Sequence, residues 1–413
     1  MPNIRPFRAL RPTPEYAEEV YIYHGDATDP DRASVVANAN PNSLLNITHF
    51  IENLYEESAV KPRTTEKFRR MIDSGVLMAD EKECFYAYRL SMANHSQTGL
   101  VACVDIEDYI NDKVRRHEHT RVDKVHTQAN QIDRLSGNVE PIILVYDSTG
   151  IDSKMIEDWA YSHDAIYDIL DEGGIRHEIW EIDDRDVIQS IVKTADNLDA
   201  FYICDGHHRI EAAAEYYKSI SSDPECNPEY KDASRYFLSV IFPSDEMLIL
   251  DYNRAVKTLN GLTKEEFIER VEAADFDVEL VGSDPIYPSD PGEFSMVIDD
   301  EWYKLTYTGP RDGATVSERL DVSILQDRII KDILGIDNPK ENPAIGFISG
   351  TKGIMALQDA TRSGMAVAFA IYPPVMADIM AVADAGEFMP PKSTCFEPKP
   401  AGGLVMYRFG DVE

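Results

Sequence analysis

The sequence predicts an α+β protein, and three observations lead there. Residues 107–245 alternate between strand-like and helix-like patterns. Two stretches, "CFYAYRLSMANHSQTGLVACVDI" (84–106) and "FSMVIDDEWYKLTYTG" (294–309), each set two strand-like runs about a short polar turn, which is a hairpin signal. The stretch from "AIGFISGTKG" to "MADIMAVADAG" reads β-α-β-α. At 413 residues the chain exceeds one ordinary domain. We expect an N-terminal α/β region over 1–98, a candidate catalytic domain over 99–245 and a C-terminal α/β domain over 246–413.

The elements follow in order. The first residues are Pro-rich and irregular, and "RTTEKFRRMIDSG" (63–75) then carries a helical pattern that Gly75 can stop. "PIILVYD" (141–147) is an apolar run of buried-strand type. "KMIEDWAYSHDAIYDILDEGG" (154–174) reads as one helix closed by glycines. "RHEIWEI" (176–182) alternates as a strand. "DRDVIQSIVKTADNL" (184–198) is amphipathic and opens with acids, which suit a helix N-terminus. A strand at 201–204, a helix at 208–219 and a strand at 235–242 complete the central region. "MLILDYNRAV" predicts a further strand, "DVSILQDRIIKDILGI" a helix, and the acid-rich "ELVGSDPIYPSDPGEF" (279–294) a loop or linker.

The formal net charge is −34, and such a surface repels nucleic acid and anionic membranes. The five cysteines are scattered and form no CxxC pair, which argues against disulfides and structural zinc and for a reducing cytoplasm. The stretch "MPNIRPFRALRPTPEY" has no apolar core of the signal-peptide kind. The most apolar stretch, 364–380, is broken by Pro373 and Pro374, so no membrane span is expected.

Against this acidic background two segments concentrate cations. In "YICDGHHRIEAA" (202–213) a strand runs through Asp205 and Gly206 into a helix carrying His207, His208 and Arg209. Glycine permits the tight turn, and the free N–H groups of the helix start favour an anion. Arg209 adds a forked donor, and the histidines can donate to phosphate or move protons. The plain alternative is an ordinary helix start with surface histidines. In "KVRRHEHTRVDK" (113–124) five bases meet two acids, a local +3, whereas −34 spread over the chain predicts about −1 for twelve residues. Glu118 lies between His117 and His119, with Arg116 and Arg121 close by; a carboxylate among cations stays ionised and can take a proton or bind a metal. The alternative is an exposed loop of mixed charge.

Weaker candidates remain. "HEHT" is not HExxH, because Arg121 stands where the second histidine belongs, so no metal ligands are assigned. Lys392, Ser393 and Thr394 follow two prolines and offer donors to an anion, with Glu397 and Lys399 as a nearby charge pair. "SGTKG" (349–353) could present N–H groups but lacks P-loop spacing. Each has a structural-loop alternative.

These residues carry a resemblance. "IRPFRALRP", "QTGLVACV", "RHEHTR", "DGHHR", "LDVSILQD" and "MPPKSTCFEPK" are similar, in order and spacing, to the family called domain of unknown function 1015, over nearly the whole chain. Two departures stand out: "YIYHGDAT" (21–28) replaces the family's usual Pro-Pro-Tyr-Asp, and Cys395 stands where an aromatic residue is common. More distantly, "RHEHT…QIDRLSGNVEPIILVYD" with "YICDGHHRIEAA" resembles the mixed-sheet ParB/sulfiredoxin-like nucleotide-binding fold, which includes kinases of free L-serine. That resemblance implies a base at Glu118 and a phosphate-gripping turn at Asp205, Gly206, His207 and Arg209. The insert between the two motifs is much longer here.

The expectation is therefore a phosphotransferase (a kinase) that uses ATP or ADP with Mg2+ on a small hydroxylated metabolite such as free serine. Catalytic candidates are Glu118, His119 and His117. Phosphate or nucleotide candidates are Asp205, Gly206, His207, His208, Arg209, Arg116, Arg121, Lys392, Ser393 and Thr394. The alternatives are a non-catalytic nucleotide-binding switch and a metal-assisted hydrolase. Partners would be the small substrate and the nucleotide, with no nucleic acid or membrane, and a homodimer stays open.

Overall fold

The computed structural model describes residues 1–23, 29–48, 57–149, 154–311 and 314–410. The segment "YIYHGDAT" therefore lies partly outside the described residues. The chain divides into two compact units: Met1–Met247 with Pro398–Glu413, and Leu248–Glu397. Residues 98 and 99 lie within one strand of the first unit.

The first unit is a mixed α+β structure. Its main strands are β1 (Ile4–Arg5), β2 (Phe85–Met92), β3 (His95–Asp105), β4 (Val114–Arg115), β5 (Ile142–Tyr146), β6 (Tyr167–Leu170), β7 (Ile175–Ile182), β8 (Phe201–Asp205) and β9 (Tyr236–Pro243). They form one sheet in the order β4-β8-β5-β9-β3-β2-β7-β6, with β1 along β3. β4 with β8 and β5 with β9 run parallel, and the remaining pairs are antiparallel. The central strand β9 is buried from Phe237 to Pro243, and its near-continuous apolar sequence is what burial on both faces requires. Its helices include α1 (Glu57–Asp73), α2 (Val122–Leu135), α3 (Lys154–Ser162), α4 (Arg185–Ala195) and α5 (His207–Ser222). A further core gathers Leu10, Ile22, Phe68, Leu135 and Met406, which are distant in sequence.

The helix expected over 154–174 ends at Ser162, and the remainder is strand β6 and a turn. Ser162 turns its hydroxyl back onto the Asp158 carbonyl, and His163 stacks on Trp159 at 3.7 Å. Ile166 N–H then bonds the Ile179 carbonyl and opens the pairing with β7. Tyr167 and Ile169 are buried while Asp168 and Leu170 are exposed, a period of two that overrides the helical reading. Gly174, at φ +79°, completes the turn.

The second unit holds β10 (Leu248–Leu250), β11 (Tyr252–Val256), α6 (Lys264–Glu272), β12 (Phe276–Gly282), β13 (Glu293–Ile298), β14 (Glu301–Tyr307), β15 (Ile345–Ser349), α7 (Met355–Arg362), β16 (Val367–Ile371), α8 (Met376–Asp384) and β17 (Cys395–Glu397). Six strands form a wholly antiparallel sheet, β12-β14-β13-β16-β11-β15. The Asp299-Asp300 turn has φ +51° and +62°, the left-handed pair that matches strand twist in a tight hairpin. "MLILDYNRAV" supplies two strands: β10 pairs with β17 while β11 enters the sheet. They part at Asp251, whose carbonyl accepts from Gly350 N–H. The helix expected from Asp321 keeps one α-turn, Asp321–Ile324, then widens into a π-helix over Leu325–Lys331. Bonds such as Leu334 N–H to the Ile329 carbonyl mark the wider turn, which a 3.6-residue pattern does not distinguish.

Candidate functional site

The site of interest begins with strand direction. β4 and β8 are parallel neighbours, with Val114 opposite Phe201 and Arg115 opposite Tyr202. Parallel strands leave a sheet at the same end, so 116–121, leading into α2, emerges beside Asp205 and Gly206, leading into α5. The two helices pack against each other. The contact between the loops is a pair of histidines: the rings of His117 and His207 meet edge to face at 4.6 Å, and His117 N–H makes a long contact of 3.5 Å to His207 Nε2. The cation-rich segments, about ninety positions apart in sequence, thus converge.

Gly206 governs the turn. Its φ is +96°, and a Cβ there would lie 2.9 Å from Arg209 Nε and 3.2 Å from Ile142 Cγ1. Glycine is required on both counts. A register shift in the β8–β5 pairing between Ile203 and Asp205 re-aims the strand end just before the turn. No side chain caps the start of α5 and no acid lies in its first turn, so the end of the sixteen-residue helix presents N–H groups and partial positive charge.

Charged groups surround this turn. Arg209 donates from Nη1 to Glu140 at 2.8 Å and from Nη2 to Asp205 at 2.6 Å. Lys399, on the segment that returns to the first unit, reaches the other Asp205 oxygen at 3.2 Å. Ile22, Glu140, Asp205, Arg209 and Lys399 line one small cleft. Sequence reasoning noted Lys399 only as a partner for Glu397 and missed Glu140, an acid at the start of an apolar strand. Nothing local marks either residue, because the fold alone brings them to Arg209.

The remaining candidates are distributed unequally. His117 and His207 are only 2 % and 5 % exposed. Burial pulls the His117 imidazole down to about 4 and His207 well below its ordinary value, so both are neutral near pH 7. They form a packed, neutral pair at the junction of the two loops. Glu118 and His208 are half-buried, and His119 is exposed. Arg116 pairs with Glu211 of α5 at 3.2 Å, and Tyr109 hydroxyl bonds the same carboxylate. Arg121 forms a forked pair with Asp123 at 3.1 and 2.7 Å. Both arginines are largely exposed, where such pairs are weak and exchangeable.

Lys392, Ser393 and Thr394 belong to the second unit. Lys392 has φ +57° and its Nζ lies 5.4 Å from the Tyr252 ring centre. The Ser393 hydroxyl donates to the Pro390 carbonyl at 2.6 Å. Buried Arg254 donates to the Tyr252, Pro391 and Lys392 carbonyls and fixes the loop. At "SGTKG" the Ser349 hydroxyl caps Thr351 N–H at 3.3 Å, which gives that loop a local structural partner. Among the described residues no group of three His, Cys, Asp or Glu side chains is arranged to hold a metal ion, and no helix is long and apolar enough to cross a membrane.

Comparison with other proteins places the chain. The model of the family described as "Protein of unknown function (DUF1015)" matches residues 4–323. The chain belongs to this family. Among solved structures, a free serine kinase variant in complex with AMP is similar to this DUF1015 chain over 75% of it and 90% of that chain, at 15% identity and a TM-score of 0.38. A conserved hypothetical protein from Pyrococcus furiosus covers 76% of this chain and 97% of its own, at 13% identity and a TM-score of 0.35. C-terminally truncated SbnI from Staphylococcus aureus covers 74% and 86%, at 12% identity and a TM-score of 0.38. No curated protein matches the chain in sequence.

Proposed function

We propose that this DUF1015 protein is a nucleotide-dependent phosphotransferase acting on a small hydroxylated metabolite such as free serine. The reading takes residues 99–245 as a ParB/sulfiredoxin-like catalytic core. One observation carries it: parallel pairing of β4 with β8 sets the His117–His119 loop beside the uncapped start of α5. Glu118 removes the proton of the substrate hydroxyl as its oxygen bonds to phosphorus, and the nucleotide leaves with the bridging oxygen. The first N–H groups of α5 hold the phosphates, and Arg209 and Lys399 offset their charge. His117 and His207, buried and neutral, fix the spacing of the two loops.

The donor set suits magnesium carried by the nucleotide. Both Asp205 oxygens face cations, Arg209 and Lys399, so the ion would be held chiefly by phosphate oxygens with Asp205 as the nearby carboxylate. When bound it would neutralise phosphate charge.

A thermal-shift screen of ATP, ADP and AMP with and without Mg2+ tests the reading, since a ligand of the native state raises the melting temperature. Stabilisation by at least one nucleotide is expected, and none with any nucleotide sinks the proposal. Glu118→Gln should then abolish transfer of phosphate from labelled nucleotide while sparing the shift; retained turnover removes Glu118 as base. One observation favours a second reading, a non-catalytic nucleotide-operated switch. Both terminal nitrogens of Arg209 are held by carboxylates, so an incoming phosphate must rearrange Glu140 and Asp205. Nucleotide binding with no transfer to any hydroxyl acceptor would decide for it.

A further inference from the structure

The second unit contains a cavity of about 540 Å³, a volume typical of small-molecule sites. Its walls are mostly apolar, from Tyr252, Leu320, Val322, Tyr372 and Val375 among others. Its charged side chains are Arg311, Arg319, Asp321 and Asp378. At one corner stands Asp321, 8 % exposed, which accepts from Arg311 Nη2 at 3.0 Å and from Gly292 N–H at 2.7 Å. Gly292 has φ +93°, and a Cβ there would lie 2.7 Å from Arg311 Nη2, so the glycine makes room for the ion pair. Asp378 lines the same cavity, and its charge adds to the burial that pushes the Asp321 carboxyl above its usual range, against Gly292 N–H and Arg311. Arg311 thus pairs with Asp321, while among the described residues no cation pairs with Asp378, which accepts from Val375 N–H at 3.4 Å. Arg319 also lines the cavity and is exposed, and among the described residues no carboxylate pairs with its guanidinium.

We propose that this cavity binds a small zwitterion with an apolar body, the class of α-amino acids with aliphatic or aromatic side chains. The ammonium group meets the Asp321–Asp378 corner, the carboxylate meets Arg319, and the side chain lies against the tyrosine and aliphatic walls. A half-buried carboxylate without a cation, Asp378, favours an ammonium over a plain hydrocarbon at this corner. Two further features border the site. Arg254, fully buried and pulled down to about 9 by burial, ties three carbonyls along the Tyr252 and Pro391–Lys392 edges. The π-helix Leu325–Lys331 starts directly after the cavity-lining turn, and such wide turns recur at functional sites.

Titration calorimetry of the full chain, without nucleotide, tests this independently of phosphotransfer. The probes are L-phenylalanine and L-leucine, with 3-phenylpropionate and 2-phenylethylamine as analogues each lacking one charge. The amino acids should bind, and loss of either charge should weaken binding by about tenfold or more, as for a charge-assisted hydrogen bond. Arg319→Gln and Asp378→Asn should each weaken phenylalanine to a similar degree while leaving the melting temperature of the free protein unchanged. Absence of binding at millimolar concentration overturns the proposal, as does equal binding of 3-phenylpropionate, or full affinity in both variants. If a variant fails to fold, the analogue series on the native chain still decides.

Discussion

Gly206 meets two constraints, a left-handed backbone and the nearness of Arg209. Gly206→Ala should cost about 1–2 kcal/mol through the strained φ, with more if Arg209 is displaced. A denaturant midpoint would read the loss, and a midpoint equal to the native chain's would mean the turn relaxes freely. Lys399 is a residue that the fold brings to Asp205. Under the proposed reading, Lys399→Met should weaken nucleotide binding about tenfold, the scale of one charge-assisted contact, without lowering the melting temperature of the free protein. Unchanged affinity would leave Lys399 as a partner of Asp205 alone. The two buried histidines, His117 and His207, pack against each other. Adjacent His-His-Arg codes read as reactive in sequence, yet His207 faces inward because the first turn of α5 aims it at His117, while Arg209 turns towards Asp205 and Glu140.

At the scale of elements, the β13–β14 turn offers a clean comparison. Asp299 and Asp300 both have positive φ, but among the described residues only the Asp300 side chain is bonded: its Oδ1 accepts from Arg362 at 2.7 Å and from Gln358 at 3.2 Å. Asp299→Gly should stabilise the protein by about 0.5 kcal/mol by relieving the backbone, whereas Asp300→Gly loses those bonds and should gain nothing. Thermal melts of the two variants check the contrast. Much at this level was legible in the sequence. The hairpins at 84–106 and 294–309 are real because their polar turns sit between strongly patterned runs. So is α4, whose Asp184 accepts from Asp186 and Val187 N–H as an N-cap should. The misreading of 154–174 arose where a short strand, β6, carries an exposed Leu170 and so blurs its own alternation. The site was legible as two halves. Their meeting was not, since it depends on β4 and β8 being parallel, and a two-residue strand such as β4 leaves almost no periodic signal.

Across the whole molecule, buried titrating groups give opposing dependences on pH. Burial raises the Glu246 carboxyl from 4.5 to about 7, although its Oε2 accepts from Thr98 N–H at 2.6 Å. Between those values the folded chain holds a proton that the unfolded chain has released. The associated stability is complete below about 4.5 and is lost as pH rises through about 7. Glu246→Gln keeps an acceptor for Thr98 and should be more stable than the native chain at pH 8, by about 1 kcal/mol after allowing for solvent screening, with the difference gone at pH 4. His117 acts the other way: its value falls from 6.5 to about 4, so its contribution is complete above 6.5 and is lost as pH falls through about 4. His117→Phe should flatten the acid side of the stability profile. Urea midpoints across this range would measure both slopes, and parallel profiles for variant and native chain would refute the assignment.

The first unit is discontinuous, made of Met1–Met247 and Pro398–Glu413, and the strands that enter and leave the second unit, β10 and β17, pair with each other. This arrangement has a consequence for synthesis from the N-terminus, in which residues 398–413 arrive last. Leu248–Glu397 is one uninterrupted stretch and emerges whole, while the first unit waits for Met406 to fill its core and for Lys399 to reach Asp205. The paired ends of β10 and β17 hold the returning chain near the point where it departed, so a long inserted segment closes as a short loop. A nascent chain halted before residue 398 would carry both loops of the proposed site but would lack Met406 in its core and Lys399 beside Asp205.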